Sequence, residues 1–276
     1  MANEVTVILM TDLSSRAERL RDILRETGGV LIALSGGVDS SLLVDVAGEV
    51  LGDRVLAVTA RGPLFHEFEI ERAGQIAERA GVRHMVIGAC QLDDPLVRSN
   101  PPDRCYHCKK VLFQHLLDLA HVQGLPWVAH GEQLDDASAH RPGARAAEEM
   151  GIRAPLAEAG LTKQDVRDLS RERGLPTWDD PAMACLATRV PYGQELTEER
   201  LARIAAAEDA LRALGFDALR VRDHDGLARI EVPPERVAEL TDERTRSRVA
   251  ERLREIGFRW VTVDLQGLRS GSMDAP

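Results

Sequence analysis

The chain has 276 residues, 44% hydrophobic and 29% charged, enough apolar material for one large core or two modest ones. Its formal net charge of −10 argues against tRNA or DNA as substrate, because proteins that work on nucleic acid present a basic face. No apolar run reaches the length of a membrane span, and the first residues lack a basic stretch followed by an apolar one, so a cytoplasmic protein with no membrane partner is expected.

Residues 12–27 carry a helical apolar period stopped by Gly28 and Gly29. Residues 30–34 then run apolar without polar alternation, which reads as a strand buried on both faces of a parallel sheet. Ser35, Gly36, Gly37, Val38, Asp39, Ser40 and Ser41 follow, and helical spacing continues to Leu51. A Gly-Gly turn between such elements permits positive φ and close approach to an anion. The N–H groups of the helix start, with the serine hydroxyls, then point at that anion. No lysine follows, so this is not the Gly-Lys-Ser/Thr phosphate loop. An ordinary glycine-rich turn is the other reading. Asp39 suits a Mg²⁺ on a bound pyrophosphate, or equally a helix N-terminal carboxylate.

Strands at 55–60, 84–87 and 127–130 alternate with helices at 67–80 and 109–121. Thr162 and Asp165 form a capping-box-like start for a further helix ending at Gly174. Such alternation predicts an α/β doubly wound parallel sheet over residues 1–190, with ligands at the carboxyl ends of its strands. Gly131, Glu132, Gln133, Leu134, Asp135 and Asp136 leave the 127–130 strand at that end, where either aspartate suits Mg²⁺, the nucleotide or a solvated turn. The character changes after Pro191, Tyr192 and Gly193: a helix capped by Thr197, a hairpin, a helix over 234–256 and a strand at 260–263 predict a small α+β domain over 191–276. The tail after Gly267 is expected to be disordered.

In the hairpin, Asp225 and Gly226 supply the two-residue turn. Arg222 then faces Arg229, and Arg220 faces Glu231, all four on one face, while Leu219, Val221, Ile230 and Val232 line the other. Opposed like charges cost roughly 0.2–1 kcal/mol unless bridged. A phosphate is the natural bridge for arginines; a solvated face with an Arg220–Glu231 pair is the alternative.

Four cysteines, Cys90, Cys105, Cys108 and Cys185, point in this compartment to metal or thiol chemistry rather than a disulfide framework. Cys105 and Cys108 sit three residues apart in a loop opening onto a helix, as in a redox pair, half a zinc site or part of an iron–sulfur site. Cys185 is flanked by the small Ala182, Ala184 and Ala187, which leave the thiol accessible, and Arg189 is placed to favour its thiolate. Cys90 suits a fourth zinc ligand or a buried thiol. His107 and His130 read as satisfied polar loop residues.

The Ser35–Ser41 turn resembles the SGGxDS loop of the PP-loop ATP pyrophosphatases, which cleave ATP between the α and β phosphates. Together with NPPDRCYHCKK, DDASAHRPG and PAMACLATRVPYG, it is similar to the LarE family, ATP-dependent sulfur transferases of nickel-pincer cofactor biosynthesis. The resemblance covers residues 20–265 and implies a PP-loop ATP pyrophosphatase domain followed by a substrate-binding domain. It implies ATP and Mg²⁺ as cofactors, a small-molecule pyridinium dicarboxylate mononucleotide as substrate, and a homo-oligomer. A carboxylate would be adenylated and AMP displaced by sulfur. That sulfur would come from Cys185 itself, leaving dehydroalanine, or from a four-iron four-sulfur cluster on Cys105, Cys108 and Cys185. Having all three cysteines, the chain resembles the cluster-bearing members. Arg220 and Arg222, with Arg229 opposite, match the family's substrate-phosphate patch. Glu132 and Gln133 depart from its Gly-Thr-Asn-x-Asp-Asp pattern, and Arg141, Pro142 and Gly143 match it without an independent chemical reason. A tRNA thiolase of the same loop family and a non-catalytic nucleotide- and metal-binding regulator are the competing readings.

Overall fold

The computed structural model describes residues 2–138, 142–181, 184–269 and 271–273. The chain packs as two compact units, Met1–Gln91 with Asp103–Met183, and Leu92–Pro102 with Ala184–Pro276, rather than dividing at a single cut at residue 190. The excursion at 92–102 joins the second unit because it is tied there by backbone bonds. Gly193 N donates to Asn100 O at 2.8 Å and Leu196 N to Arg98 O at 2.8 Å, while the buried Asn100 amide donates to the carbonyls of Val190 and Pro191.

In chain order the first unit begins with α1 (Ala2–Thr27), β1 (Val30–Ala33), α2 (Val38–Leu51), β2 (Val55–Arg61), α3 (Glu67–Arg79) and β3 (Arg83–Gly88). After α4 (Pro95–Arg98) in the excursion come α5 (Arg104–Val122), β4 (Trp127–His130), α6 (Leu134–Ser138), α7 (Pro142–Glu149), α8 (Pro155–Glu158) and α9 (Lys163–Glu172). The four strands form one parallel sheet in the order β3-β2-β1-β4. The uninterrupted apolar strands serve both faces. Val30 and Ile32 pack with apolar residues of α1, α2, α3 and α9, whereas Leu31, Leu56, Val58 and Val128 pack with α5 and α7. This is the expected doubly wound arrangement. The strand order reverses between β1 and β4, and the crevice beyond their carboxyl ends is where such sheets bind ligands.

Two local expectations change here. The Cys105–Cys108 pair lies inside the first turn and a half of α5, which starts at Arg104 rather than at 109. His107 is therefore helical, 3.4 Å from Asp103 one turn earlier. The capping box on α9 forms, with Thr162 accepting from Asp165 N and Asp165 from Thr162 N.

The second unit contains α10 (Glu198–Arg212), the antiparallel hairpin β5 (Arg220–His224) and β6 (Leu227–Glu231), α11 (Val237–Thr241), α12 (Glu243–Ile256) and β7 (Trp260–Val263), which pairs parallel with β6. The hairpin turns at Asp225 and Gly226, both at positive φ, and sets Arg222 opposite Arg229 and Arg220 opposite Glu231. The stretch expected as one helix over 234–256 breaks at Asp242. Its extended backbone ends α11 while its carboxylate caps the N–H groups of Arg244 and Thr245 to start α12. The chain beyond Gly267 is ordered where described, contrary to expectation. Leu268 N donates to Val232 O at 2.8 Å, and Ser272 is 8% exposed within side-chain hydrogen bonds.

Candidate active site

At the end of β1 the sequence Ser35–Ser41 folds as a tight turn into α2. Gly36 takes φ +76°, where a side chain is strained, and a Cβ there would lie 2.9 Å from the Glu69 carbonyl oxygen. The hydroxyls organise the turn internally. Ser40 Oγ accepts from Ser35 N at 3.2 Å, lies 3.1 Å from Ser35 Oγ and donates to Gly37 O. Gly37 N donates to Ser35 Oγ at 3.4 Å and precedes the helix with no side-chain cap, so the first N–H groups of α2 are not capped by a side chain. From the other side of the switch point, Gly131 presses onto the same helix start. A Cβ on it would meet Ser40 N at 2.6 Å and the carbonyl carbon of Asp39 at 2.9 Å.

Beside this turn lies an apolar cavity of about 90 Å³ lined by residues including Ser35, Thr59, Phe65, Ile70 and Leu116. Its floor is fixed by Thr59, whose hydroxyl donates to the Leu34 carbonyl at 2.8 Å and sits 2.8 Å from His84 Nε2.

Asp39 is held by a residue that no local pattern could flag. Lys163 Nζ, 124 residues away, donates to both carboxylate oxygens at 2.8 and 2.6 Å. Burial pushes the Asp39 carboxyl above its usual range; Lys163 pulls it back and the Asp136 carboxylate adds to the rise. The loop after β4 completes this corner, with Asp135 accepting from Lys163 N at 2.8 Å and Gln133 accepting from Asp135 N at 2.6 Å. Among the described residues no group of three or more His, Cys, Asp or Glu forms a metal cage. Mg²⁺ carried on a polyphosphate needs only one or two carboxylates, and Asp39, which already seats the Lys163 ammonium, is suited to a cation.

His130, at the end of β4, is buried against Phe113 rather than in a loop, and its Nε2 makes no hydrogen bond although the Glu132 carboxylate is 3.5 Å away. Burial, helped by Lys109, drives its pKa from the usual 6.5 down to about 3. The native state therefore keeps a neutral ring, while the unfolded chain takes up a proton as pH falls below 6.5. Stability present above that pH is lost on the way down, by about 2 kcal/mol at pH 5. Urea unfolding at pH 7 and pH 5 measures this loss, which a foldable His130→Asn variant does not show.

In the second unit, Cys185 opens a short turn. Arg189, 4% exposed, donates from Nε and Nη2 to the two oxygens of Glu208 and from Nη1 to the carbonyls of Ala184 and Cys185. The expected thiolate partner thus serves to fix the backbone that carries the thiol. Ala182 and Met183 lie outside the described residues, as do Ala139, His140 and Arg141 of the DDASAHRPG motif. Cys185 and Cys108 are half-buried and Cys105 is exposed; so is Cys90, which was expected as a buried thiol or zinc ligand. Cys105 and Cys108 share one helix face at the i, i+3 spacing, a geometry open to joint metal ligation.

The hairpin arginines meet this turn directly. Arg222, 2% exposed, donates from Nη1 to Thr188 O at 2.8 Å and from Nη2 to Glu231 Oε2 at 2.8 Å. Glu231 also accepts from Arg229 Nη2 at 3.2 Å. The anion bridging Arg222 and Arg229 is therefore Glu231 itself, where a phosphate had been expected, and the hairpin's buried ion pair is Arg222–Glu231 rather than Arg220–Glu231. What remains for a ligand is a polar cavity of about 180 Å³, lined by Arg220 and Arg222 together with Ala184, Thr188, Tyr192 and Ser272. Arg222 Nε is a buried donor without a partner among the described residues, and Arg220 makes one long bond, 3.4 Å to the Arg269 carbonyl. Burial, then the charges of Arg222 and Arg189, lower the Arg220 guanidinium, while Glu231 and Glu208 oppose the shift.

A scan against models of known protein families matches none of them. One subunit of the glutamine-hydrolysing GMP synthase of Thermoplasma volcanium is 27% identical over 71% of this chain and 68% of its own. That likeness, with the parallel sheet and the turn at its switch point, defines an α/β protein of the PP-loop type. The pyridinium-3,5-bisthiocarboxylic acid mononucleotide synthase of Lactiplantibacillus plantarum is 39% identical over 266 residues, 96% of each chain. An uncharacterised protein of Synechocystis sp. is 41% identical over 262 residues, 95% of this chain and 98% of its own. The chain belongs to the family of that synthase, the LarE family.

Proposed function

We propose that this chain is an ATP-dependent sulfur transferase that converts a carboxylate of pyridinium-3,5-biscarboxylic acid mononucleotide to a thiocarboxylate. The observation that carries the reading is the bond from Arg222 to the Thr188 carbonyl, which joins an anion cavity to the turn bearing Cys185. One unit thereby offers a seat for a substrate phosphate on the turn that carries Cys185, and the other offers a nucleotide turn.

A carboxylate is a poor electrophile until one oxygen is made a leaving group. In the first unit the N–H groups at the start of α2 and the Ser35 and Ser40 hydroxyls receive the β and γ phosphates, and the apolar slot beside Thr59 receives the base. Lys163 turns from Asp39 toward the polyphosphate, and Asp39 with Asp136 would hold Mg²⁺, which would neutralise phosphate charge. The substrate carboxylate attacks the α phosphorus, the bond to the bridging oxygen breaks and pyrophosphate leaves. In the second unit Arg220 and Arg222 anchor the substrate phosphate. Sulfur attack on the acyl carbon then expels AMP. When Cys185 is the donor, its thiolate forms a thioester, and loss of the Cys185 α-proton with cleavage of its Cβ–S bond leaves the thiocarboxylate and dehydroalanine. Cys105, Cys108 and Cys185 would alternatively be the ligands of a four-iron four-sulfur cluster, which would supply sulfide for the acyl transfer. In that case the three thiolates act as ligands and the chain is not consumed.

Incubation with ATP and the dicarboxylate mononucleotide is expected to release pyrophosphate and AMP. Release stimulated only by tRNA, or none at all, overturns the assignment. Arg220→Ala is expected to raise KM for the mononucleotide about 10- to 100-fold with little change in KM for ATP, as removal of one charge-assisted contact does. An equal rise in both would remove Arg220 from the substrate site.

A further inference from the structure

We infer that Ser272 is a positioning residue for the anion cavity: its hydroxyl holds Arg222 and Glu231 in the arrangement that leaves Arg222 turned toward a ligand, so the C-terminal segment is a wall of the substrate site. The inference rests on the reading of that cavity as the phosphate seat.

Ser272 Oγ accepts from Arg222 Nη2 at 2.8 Å and donates to Glu231 Oε1 at 2.7 Å, with all three groups buried. A serine hydroxyl accepts from the cation and donates to the anion through one atom, which neither alanine nor valine can do. Without it, Glu231 has an oxygen short of one donor and Arg222 a nitrogen short of one acceptor. The direct remedy is a two-pronged pairing of guanidinium and carboxylate, the geometry these groups favour. That rotation draws Arg222 off Thr188 and away from the cavity.

The course of the segment is built rather than incidental. Gly267 turns the chain at φ +71°, and a Cβ there would meet the Val232 carbonyl oxygen at 2.8 Å and Pro234 N at 3.0 Å. Beyond it Leu268 N bonds Val232 O, Arg269 Nη1 reaches Asp264, and Met273 Sδ lies 3.3 Å from Arg229 Nη2. Gly271, Ser272 and Met273 line the same cavity as Arg220 and Arg222. The groups bonded to Ser272 are thus Arg222 and Glu231, already paired with each other, which is where a single hydroxyl decides direction.

The test is equilibrium binding to the full chain of a pyridinium carboxylate mononucleotide and of the matching nucleoside without phosphate. Ser272→Ala is expected to weaken the mononucleotide about tenfold, the size of one charge-assisted hydrogen bond, and to leave the nucleoside and ATP unchanged. Ser272→Thr restores binding. If Ser272→Ala does not fold, Ser272→Thr against Ser272→Val makes the same comparison, because those side chains differ by the hydroxyl alone. Equal loss for mononucleotide and nucleoside, or no loss for either, overturns the role of Ser272. If Arg220→Ala also leaves the mononucleotide unaffected, the phosphate reading falls as well; if Arg220→Ala weakens it and Ser272→Ala does not, only the present inference falls.

Discussion

Replacing Cys185 by alanine is expected to separate the two halves of the reaction. Pyrophosphate release in the presence of the dicarboxylate mononucleotide continues at a rate within about threefold of the unaltered chain, because the groups assigned to ATP belong to the first unit. Thiocarboxylate formation falls by at least about 10³-fold, because both routes to sulfur pass through this residue as donor or ligand. The substitution removes one half-exposed sulfur and leaves Arg189 its bonds to Glu208 and to the Ala184 and Cys185 carbonyls, so the turn keeps its shape. Pyrophosphate assay and mass spectrometry of the mononucleotide read the two halves separately. Product formation by Cys185→Ala at the ordinary rate would eliminate the thiol from the mechanism.

The second large effect is expected at Gly131, which no phosphate-loop pattern includes. A methyl group there meets the backbone of Asp39 and Ser40 at 2.6–2.9 Å, and backbone cannot swing aside as a side chain can. The start of α2 must therefore shift by several tenths of an ångström to accept Gly131→Ala. Misplacement of reacting groups on the scale of 1 Å costs about 100-fold in rate, so a loss of ATP-dependent pyrophosphate release of roughly 10- to 100-fold is expected. Gly36→Ala should behave similarly, for it combines positive φ with a 2.9 Å approach to Glu69 O. Gly88 supplies the contrast: it lies on the same sheet with ordinary φ and open space, and Gly88→Ala should leave turnover intact. Equal activity in Gly131→Ala and Gly88→Ala would mean that the close approach has no bearing on the nucleotide turn.

The alternation of strands and helices was legible because each element carries its own period. The unbroken apolar run of β1 and the two-residue turn at Asp225 and Gly226 are local signals; the first marked a buried parallel strand and the second set the hairpin register. The break at Asp242 was harder to see because no glycine or proline marks it, and residues 241–248 are polar residues that a solvated helix face also tolerates. What ended α11 was a carboxylate that bonds the next helix more favourably than it continues the last. The least legible parts are pairs far apart in the chain. Lys163 finds Asp39 over 124 residues, Ser272 finds Glu231 over 41, and Gly131 meets α2 only because β4 is laid beside β1. The hairpin illustrates the same limit. Period and register correctly put three arginines and a glutamate on one face, yet which arginine the glutamate took depended on Ser272 and Thr188, which lie outside the hairpin.

A carboxylate sequestered beneath Arg222 and Arg229 also bears on how a charged small molecule is captured. The exterior as a whole is acidic, at a formal −10, so the long-range field repels a dianion rather than drawing it in. In the proposed phosphate seat attraction is short-ranged, arising where Arg220 is partly buried beside the charges of Arg222 and Arg189. Encounter is then unsteered and retention short-ranged. Raising ionic strength lifts the repulsion outside more than it weakens the contacts inside, a balance opposite to that of proteins with basic funnels.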